Sequence, residues 1–559
     1  MNRSQWVALV GVVWLMLGVT SPVEALPGFF ASKGSAKRQS FSTHVVVMKD
    51  GGTSVVSVMT DTEGPEAPFA LVLAVPSDVK QSQLRVLKRG AVERLEELTA
   101  PRFFEFWEQD PCDTSEQEQI WERDLSASKS KDFLGGAKLL GSTKKTRKEL
   151  RLHLETDFRT AGVEYRLSVV GSTIATWLKK KGYTVPSGVN TEQHDGKWVV
   201  AEVDTRKVQL GGRGETLLSP IRFETKQPYA IASTIGLPHV AGKHELLVYV
   251  LDPKQRFEAA NYPNRYPPTN LQADFKLKER MGEFYVALHD KMLSKEKNSV
   301  LTEYVWSTTG CGQPCTNSPL HLHELLTLGA DVFERGVSST DKNPKPPPRT
   351  EEEQAKYDAM SKPERFQLDK ADREVARRRA LIDRRGDYVL TRLHYRFDKA
   401  TLPKALELRP GAAKQGGVSI PQGPEGTLPQ GVQGGGNTFQ TRVVHLHPNK
   451  KVVKCDAPKR YRWGKPPRTF RGNRKIWVAD QLASRRRSQV NLSEVLLTSV
   501  PSLGIQAIKK PEAALEPAVA VAPTEKPGSC RVQHSSSGGW LWSVIGLAAV
   551  LFVRRRRRL

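Results

Sequence analysis

The stretch from residue 42 to residue 76 reads STHVVVMKDGGTSVVSVMTDTEGPEAPFALVLAVP and decides how the rest of the chain is interpreted. Two runs rich in β-branched residues, His44–Met48 and Ser54–Met59, flank a turn at Asp50–Gly52. This pattern predicts a β-hairpin. A third apolar run, Phe69–Pro76, predicts another strand close behind it.

Similar strand signals recur along the chain and alternate with helical ones. Further strands are predicted at Glu164–Val170, Trp198–Val203, Leu246–Leu251, Val300–Trp306 and Tyr388–Phe397. Helices are predicted near Leu84–Leu98, Thr173–Lys181, Phe275–Leu293 and Leu320–Leu328. The mixture favours an α+β fold with mainly antiparallel sheets, interspersed helices, flexible insertions and one C-terminal membrane helix.

Composition changes mark the boundaries of the expected segments. A Pro-rich break followed by dense charge predicts a helical insertion, and a stretch containing nine glycines between residues 411 and 436 predicts a flexible loop. The expected order is a signal peptide (1–25), an α+β body (26–337), the charged insertion (338–386), a strand returning to the body (387–408), the Gly-rich loop (409–440), a basic C-terminal part of the body (441–505), a Pro/Ala-rich stalk (506–535), a transmembrane helix (539–553) and an Arg-rich cytoplasmic tail (554–559).

The N-terminal residues have the pattern of an export signal. Arg3 precedes an apolar run from Trp6 to Val19, and small or apolar residues lead up to Ala25. The run of fourteen residues is shorter than the roughly 20 that span a bilayer. Cleavage after Ala25 is therefore expected, and the alternative is an uncleaved N-terminal anchor.

At the C-terminal end, an apolar segment at 539–553 precedes the five arginines Arg554–Arg558. The arginines are expected to stay in the cytoplasm, which would place the body outside the inner membrane. Together with the stalk and Gly528–Cys530, this order of parts resembles the MYXO-CTERM sorting signals. That resemblance implies cleavage at Cys530, whose thiol would then carry lipid on the cell surface. The alternative is a permanent membrane anchor.

The five cysteines suit an exported protein with one or two disulfides. Cys112, Cys311, Cys315 and Cys455 are the disulfide candidates, and the sequence does not choose among their three possible pairings. Cys311 and Cys315 near His321 and His323 also suggest a metal site. The two histidines, however, are two positions apart on a predicted helix and would point in different directions.

The body resembles the domain of unknown function 2330 family over roughly residues 27 to 465. The likeness rests on the order Leu26–Phe30, the hairpin, Phe69–Pro76, Asp110–Cys112, Thr176–Leu178, Gly182–Tyr183, Glu245–Leu251, Asn261–Asn270, Thr302–Trp306, Cys311–Cys315 and Leu390–Leu393. The resemblance implies an exported protein and supplies no activity. The chain departs from the family pattern by lacking a cysteine near Gly28–Phe30 and by its long insertions.

Other candidate sites are incomplete as motifs. His445 and His447 alternate on a predicted strand and are candidate metal ligands without an obvious third ligand. The segments His244–Val248 and His323–Thr327 begin like a zinc-protease helix but lack its second histidine. No cofactor is predicted.

A basic region is the remaining candidate for binding. The chain carries a formal net charge of +25, and positive charge mixed with aromatic residues is concentrated at 442–487. This composition suits anionic polysaccharide, lipid headgroups or released DNA. The candidate residues are Arg460, Arg462, Trp463, Arg468, Arg471, Arg485, Arg486 and Arg487. The alternative is a solvated basic face over packed aromatic rings.

Two functions remain open from the sequence. The first is an exported, membrane- or surface-anchored bacterial envelope protein that binds or scaffolds without catalysis, with the membrane and the export and sorting machinery as its partners. The second is an exported hydrolase or metal-dependent enzyme whose residues are scattered along the chain.

Overall fold

The structure is a computed structural model. It describes residues 28–112, 154–159, 164–231, 242–308, 319–333, 349–398, 405–464, 466 and 490–508, apart from positions 35, 188, 190, 193, 195, 212–214, 230 and 386. The predicted signal peptide, the stalk, Cys530, the segment 539–553 and the arginine tail lie outside these residues. In the described ranges, no helix is long and apolar enough to cross a membrane.

Among the described residues, the strands outnumber the helices and supply most of the core. In chain order they are β1 (Phe29–Lys33), β2 (Ser42–Asp50), β3 (Thr53–Thr62), β4 (Phe69–Val75), β5 (Arg85–Val86), β6 (Arg102–Glu108), β7 (Tyr165–Val170), β8 (Tyr183–Thr184), β9 (Lys197–Val203), β10 (Thr216–Leu217), β11 (Ile221–Thr225), β12 (His244–Asp252), β13 (Arg256–Ala259), β14 (Asn264–Arg265), β15 (Leu271–Gln272), β16 (Val300–Ser307), β17 (Val389–Phe397), β18 (Leu408–Gly411), β19 (Gln415–Gly416), β20 (Thr438–Gln440), β21 (Arg442–His447) and β22 (Trp463–Gly464).

The helices lie between these strands. They are α1 (Gly90–Thr99), α2 (Ile174–Lys180), α3 (Met281–Lys295), α4 (Leu322–Leu325), α5 (Glu351–Asp358), α6 (Lys362–Arg385) and α7 (Leu492–Val495). Short 3-10 turns occur at Gln81–Gln83, Phe275–Arg280 and Pro501–Leu503, and a π turn at Leu326–Ala330 follows α4.

An eleven-stranded central sheet organises the body. Its main path runs β19-β20-β16-β17-β12-β2-β3-β11-β5, with β10 beside β3 and β14 beside β16. A five-stranded sheet has the order β7-β9-β4-β1-β8, and a four-stranded sheet has the order β15-β21-β6-β22. Strands β13 and β18 form a separate pair.

The core consists of layers on both faces of the central sheet. Val45 and Val47 of β2 pack toward the five-stranded sheet, whereas Val46 and Met48 face the layer that contains α1. A strand covered on both faces reads as a continuous apolar run, which is why the stretch at 44–48 does not alternate. Helix α3 packs against the four-stranded sheet in a further apolar cluster.

The α+β class is confirmed, and most strand pairs are antiparallel as expected, but the sheets are mixed because they also contain parallel pairs. Strand β2 pairs in parallel with β12, and β6 pairs in parallel with β21. These partners are far apart in sequence, so long connections can bring them side by side in either direction. Hairpin patterns report only strands that are neighbours along the chain.

Two predicted segments differ in detail. The helix expected from Leu84 begins only at Gly90, because Arg85 and Val86 pair with β11. The Gly-rich stretch, expected to be a flexible loop, contributes strands β18, β19 and β20 to the sheets. At Gly417, with φ near +71°, a Cβ atom would lie 1.8 Å from the Gln440 carbonyl oxygen, so the glycine permits close backbone packing.

Candidate functional site

One face of the central sheet carries charged side chains inside the core. Along β17, Arg392, His394 and Arg396 alternate with Leu393 and Tyr395, so the three basic residues share one face. All three are buried. The strand register places Tyr249 opposite Arg392 and Glu245 opposite Arg396 on neighbouring β12. We call this group of polar side chains, with the partners described below, the buried ionic layer.

Two helices cover the buried ionic layer. Helix α1 contributes Glu96, and helix α3 contributes Tyr285 and His289, which are four positions apart and therefore lie on one helical face. Tyr285 donates a hydrogen bond to Glu303 over 2.5 Å. The ring of His289 meets the ring of His394 edge to face, with centroids 4.6 Å apart.

Glu303 reaches the layer from a β-bulge. The register between β16 and β17 shifts between Thr302 and Tyr304, which leaves Glu303 as the extra residue. Bulges redirect a side chain relative to the regular pleat. The backbone carbonyl of Glu303 accepts a hydrogen bond from the Thr441 amide over 3.0 Å, while its carboxylate is fully buried in the layer.

Arg392 links two carboxylates from opposite sides. Its Nε lies 2.5 Å from Glu303 Oε2, and its Nη1 lies 3.0 Å from Glu96 Oε2. Arg396 likewise bridges Glu245 at 2.5 Å and the half-exposed Asp290 at 2.8 Å. His394 completes the connection, since its Nδ1 lies 2.6 Å from Glu303 Oε1. Such pairs offset the cost of burying charge only while both partners remain.

Burial and neighbouring charges shift the pKa values of these buried groups in opposite directions. Burial raises the pKa of Glu303, but His394 and Arg392 outweigh it, so the pKa is lowered and the carboxylate is ionised. Burial lowers the pKa of His394, but Glu303 and Glu245 outweigh it and raise the pKa. Burial dominates at His289 and holds its pKa well below the usual value. His289 is therefore neutral at pH 7.

Three of these residues form a group with metal-ligand chemistry. His289, Glu303 and His394 each offer one ligand atom, and these atoms lie within 4.8 Å of one another. The three residues are 1%, 0% and 5% exposed. In the part of the chain that the structure describes, neither ring nitrogen of His289 has a hydrogen-bond partner, and the same holds for Nε2 of His394.

The histidines predicted from sequence as metal ligands are engaged elsewhere. On β21, His447 Nε2 lies 2.9 Å from Glu105 Oε1, and His445 Nδ1 lies 2.8 Å from the Ala273 carbonyl oxygen. Glu105 also pairs with Lys278 at 2.6 Å. The ring centroids of His445 and His447 lie 4.6 Å apart, as expected for alternate residues of a strand. Within the described ranges, they do not belong to a group of three ligands.

His321 and His323 each make a described contact of their own. His323 Nε2 lies 3.0 Å from Asp157 Oδ2, and the His321 backbone amide donates to Glu324. Cys311 and Cys315 lie outside the described residues.

Cys112 and Cys455 form a disulfide. They are 343 positions apart, and their Cα atoms lie 5.6 Å apart. The bond joins the segment that follows β6 to the connection between β21 and β22, the two strands that pair with β6. It is one of the pairings that the sequence left open.

The first part of the predicted polymer-binding region is used for internal contacts. Arg460 Nε lies 2.9 Å from Glu108 Oε1, and Arg462 donates to the Asp110 carbonyl oxygen over 2.6 Å. Trp463 is buried in β22 and donates to the Gly423 carbonyl oxygen, so its ring cannot stack on a polymer. Arg468, Arg471 and Arg485–Arg487 lie outside the described residues.

Sequence reasoning missed the buried ionic layer because its members come from five separate elements. One signal was present, since Arg392, His394 and Arg396 alternate along a segment correctly predicted as a strand. Basic residues at every second position normally indicate a solvent-facing side. The carboxylates that neutralise them lie about 90 to 300 positions away or in a bulge, which no local pattern reports.

Comparison with known proteins gives one match. A family model described as an uncharacterized protein conserved in bacteria (DUF2330) matches residues 21–409. No curated protein and no solved structure shows detectable similarity. The matched range contains His289, Glu303 and His394 and ends before β21.

Proposed function

From the premise that the chain belongs to the DUF2330 family of bacterial proteins, we propose that it is an exported envelope protein that binds or scaffolds rather than catalyses. It is anchored at the inner membrane with its body outside, or held on the cell surface after processing at Cys530. The coarse family assignment carries no activity, so the proposal rests on the residues of this chain.

The observation that carries the proposal is the pairing of Cys112 with Cys455. Disulfides of this structural kind form and persist in oxidising compartments and are rare in the bacterial cytoplasm. The leader pattern at 1–25 and the tail pattern at 528–559 support the same address independently.

The location of the reactive side chains supports a noncatalytic role. Among the described residues, the group that combines histidines, carboxylates and arginines lies in the core, with His289, Glu303 and His394 all buried. Catalytic sites of enzymes are concave and open to a substrate. A groove of about 380 Å³ beside α3 is open, and its lining includes Asp290, Lys291 and Ser294 but no histidine or cysteine. No described contact favours the hydrolase alternative.

The proposal is tested on the full chain produced in bacteria with its own leader and tail. Mass spectrometry of the envelope fraction is expected to find a mature N-terminus at Leu26 and, without reductant, a peptide linking Cys112 to Cys455. Surface processing predicts a C-terminus near Cys530, whereas permanent anchoring predicts an intact arginine tail. Cys112→Ser is the matched variant, and it should make Cys455 reactive toward a thiol reagent.

Two sets of results would contradict the proposal. A chain that retains Met1, stays in the cytoplasmic fraction and has both Cys112 and Cys455 labelled without reductant contradicts export. An envelope location with hydrolytic activity that tracks the purified protein contradicts the noncatalytic part alone.

A further inference from the structure

The geometry points to a structural metal centre at His289, Glu303 and His394 that binds a divalent first-row transition cation, with zinc as the reference ion. This inference does not depend on the address or role proposed above. It concerns how helix α3 is fastened to the central sheet.

The first argument comes from unpartnered nitrogens. Burying a polar group without a hydrogen bond is costly, and native cores rarely leave both nitrogens of an imidazole unmatched. His289 is in that condition, since in the described ranges both its nitrogens lack a partner, and Nε2 of His394 lacks one as well. A cation placed between the two rings would satisfy nitrogens from both residues.

The second argument comes from the lone pairs of Glu303. An ionised carboxylate offers about four acceptor positions. Arg392, Tyr285 and His394 occupy three of them, at 2.5, 2.5 and 2.6 Å. A metal bound in place of the proton between Glu303 and Nδ1 of His394 would be held by both residues. Nε2 of His394 would then face Glu245 Oε2 at 3.7 Å, in the way that ligating histidines usually direct their second nitrogen toward a carboxylate.

The third argument is charge. Glu96, Glu245 and Glu303 bring three buried carboxylates against two buried guanidinium groups, Arg392 and Arg396, a difference of one negative charge. Asp290 at the rim adds another. Unbalanced charge is expensive in a core, so the layer requires one more positive charge, which is supplied by a proton on His394 or by a cation that takes its place. Glu245 also brings an oxygen 3.7 Å from Nε2 of His394, beside the three ligands.

The ligand set selects the class of metal. Two imidazoles and one carboxylate suit zinc and its neighbours, whereas magnesium and calcium prefer oxygen ligands alone. Bond lengths of about 2.0 to 2.2 Å place tetrahedral ligand atoms about 3.3 Å apart. The atoms here lie within 4.8 Å of one another, so binding requires the side chains to close in by roughly an ångström. The centre would cross-link α3, β16 and β17.

The test measures metal in the full-length chain, purified from bacteria without a histidine tag. Elemental analysis is expected to find one transition-metal ion per chain. His289→Leu should reduce this to zero and lower the thermal midpoint to that of the chelator-treated parent. His447→Gln is the matched control, since His447 belongs to the other histidine pair and its variant should retain one ion.

The presence and the absence of a bound metal predict opposite changes in the thermal midpoint of His289→Leu. If no metal binds, His289→Leu removes unpartnered nitrogens from the core and should leave the midpoint unchanged or raise it. That result, or metal retained in His289→Leu and lost in His447→Gln, overturns the inference.

A second measurement avoids variants that fail to fold. The chelator-treated parent chain is titrated with Co²⁺ alone, and visible ligand-field bands that saturate at one equivalent are expected, with Zn²⁺ abolishing them. Absence of these bands, together with no rise in midpoint on adding Zn²⁺, also overturns the inference.

Discussion

Strand β17 presents Leu393, Tyr395 and Phe397 to one face of the central sheet, and Arg392, His394 and Arg396 to the other. The six side chains are all buried. The apolar face packs against the five-stranded sheet. The charged face meets carboxylates from α1, β12, β16 and α3. One strand therefore shows two different ways of filling a protein core.

This difference indicates which face of the sheet is more sensitive to substitution and to pH. Apolar contacts are many and individually small, so losing one side chain costs roughly the area and volume removed. An ion pair in the core depends on specific partners, and removing one leaves the other charge buried alone. The charged face should therefore be more sensitive to single changes and to pH than the apolar face.

The largest effect is expected at Arg392. Arg392→Met keeps much of the side-chain volume but leaves Glu96 and Glu303 without their shared cation, which should lower the free energy of unfolding by about 3 to 5 kcal/mol. Denaturant unfolding of the full-length chain measures this loss.

Leu393→Ala is the matched control, one position along the strand on the apolar face. Its cost should be about 2 to 4 kcal/mol from lost packing. The loss of unfolding free energy in Leu393→Ala should be the same at pH 7 and pH 5. The loss in Arg392→Met should be smaller at pH 5, because the unpaired carboxylates take up protons. Equal, pH-independent losses at both positions would remove the distinction between the faces.

The second prediction concerns His44, a fully buried histidine on β2 that faces the same layer. Burial lowers its pKa from 6.5 to about 4, and the charged groups that act on it are Glu96, Arg392, Asp61 and His394. The unfolded chain therefore binds this proton at a higher pH than the folded chain does. Stability from this residue is complete above pH 6.5 and falls by about 3 kcal/mol as the pH drops toward 4.

His44→Gln tests the origin of that pH dependence. Glutamine can keep hydrogen bonds to Ser42 and Tyr249 but does not titrate. The slope of unfolding free energy between pH 6.5 and 4 should become flatter in this variant. Glu245 acts in the opposite sense, because burial raises its pKa, and folding then favours its proton as the pH falls. A slope unchanged by His44→Gln would assign it to other groups.

The sequence was sufficient for the apolar half of this comparison and insufficient for the charged half. The hairpin at Asp50–Gly52 and the strands near 246–251 and 388–397 were predictable, because strand formation follows local periodicity and turn residues. The sheet order was not, since β2 pairs in parallel with β12, which lies slightly more than 200 positions away in the chain.

The candidate site depends on those long-range pairings. His289 and Glu303 become neighbours of His394 only after α3 has packed over the sheet and β16 has paired with β17. His445 and His447 were selected instead, because alternation on one strand is visible in sequence. A carboxylate in a bulge and a histidine four positions after a tyrosine on a helix carry no such local signature.

The smallest predicted effect compares two buried tyrosines, one on each face. Tyr249 donates its hydroxyl to Glu96 and also lies 3.3 Å from His44 Nδ1, whereas the Tyr395 hydroxyl has no hydrogen-bond partner among the described residues. Tyr249→Phe should cost about 2 kcal/mol, because a hydrogen bond to a charged group is lost and Glu96 is left less well satisfied. Tyr395→Phe should be neutral or stabilise the fold by up to about 1 kcal/mol, since it removes an unmatched buried group.

Each substitution deletes one tyrosine hydroxyl oxygen. A difference between the unfolding free energies of the two variants therefore measures the contribution of the hydroxyl's polar partners. Equal losses would mean that Tyr249 contributes through packing, as its counterpart does, and that the charged face is held together without it.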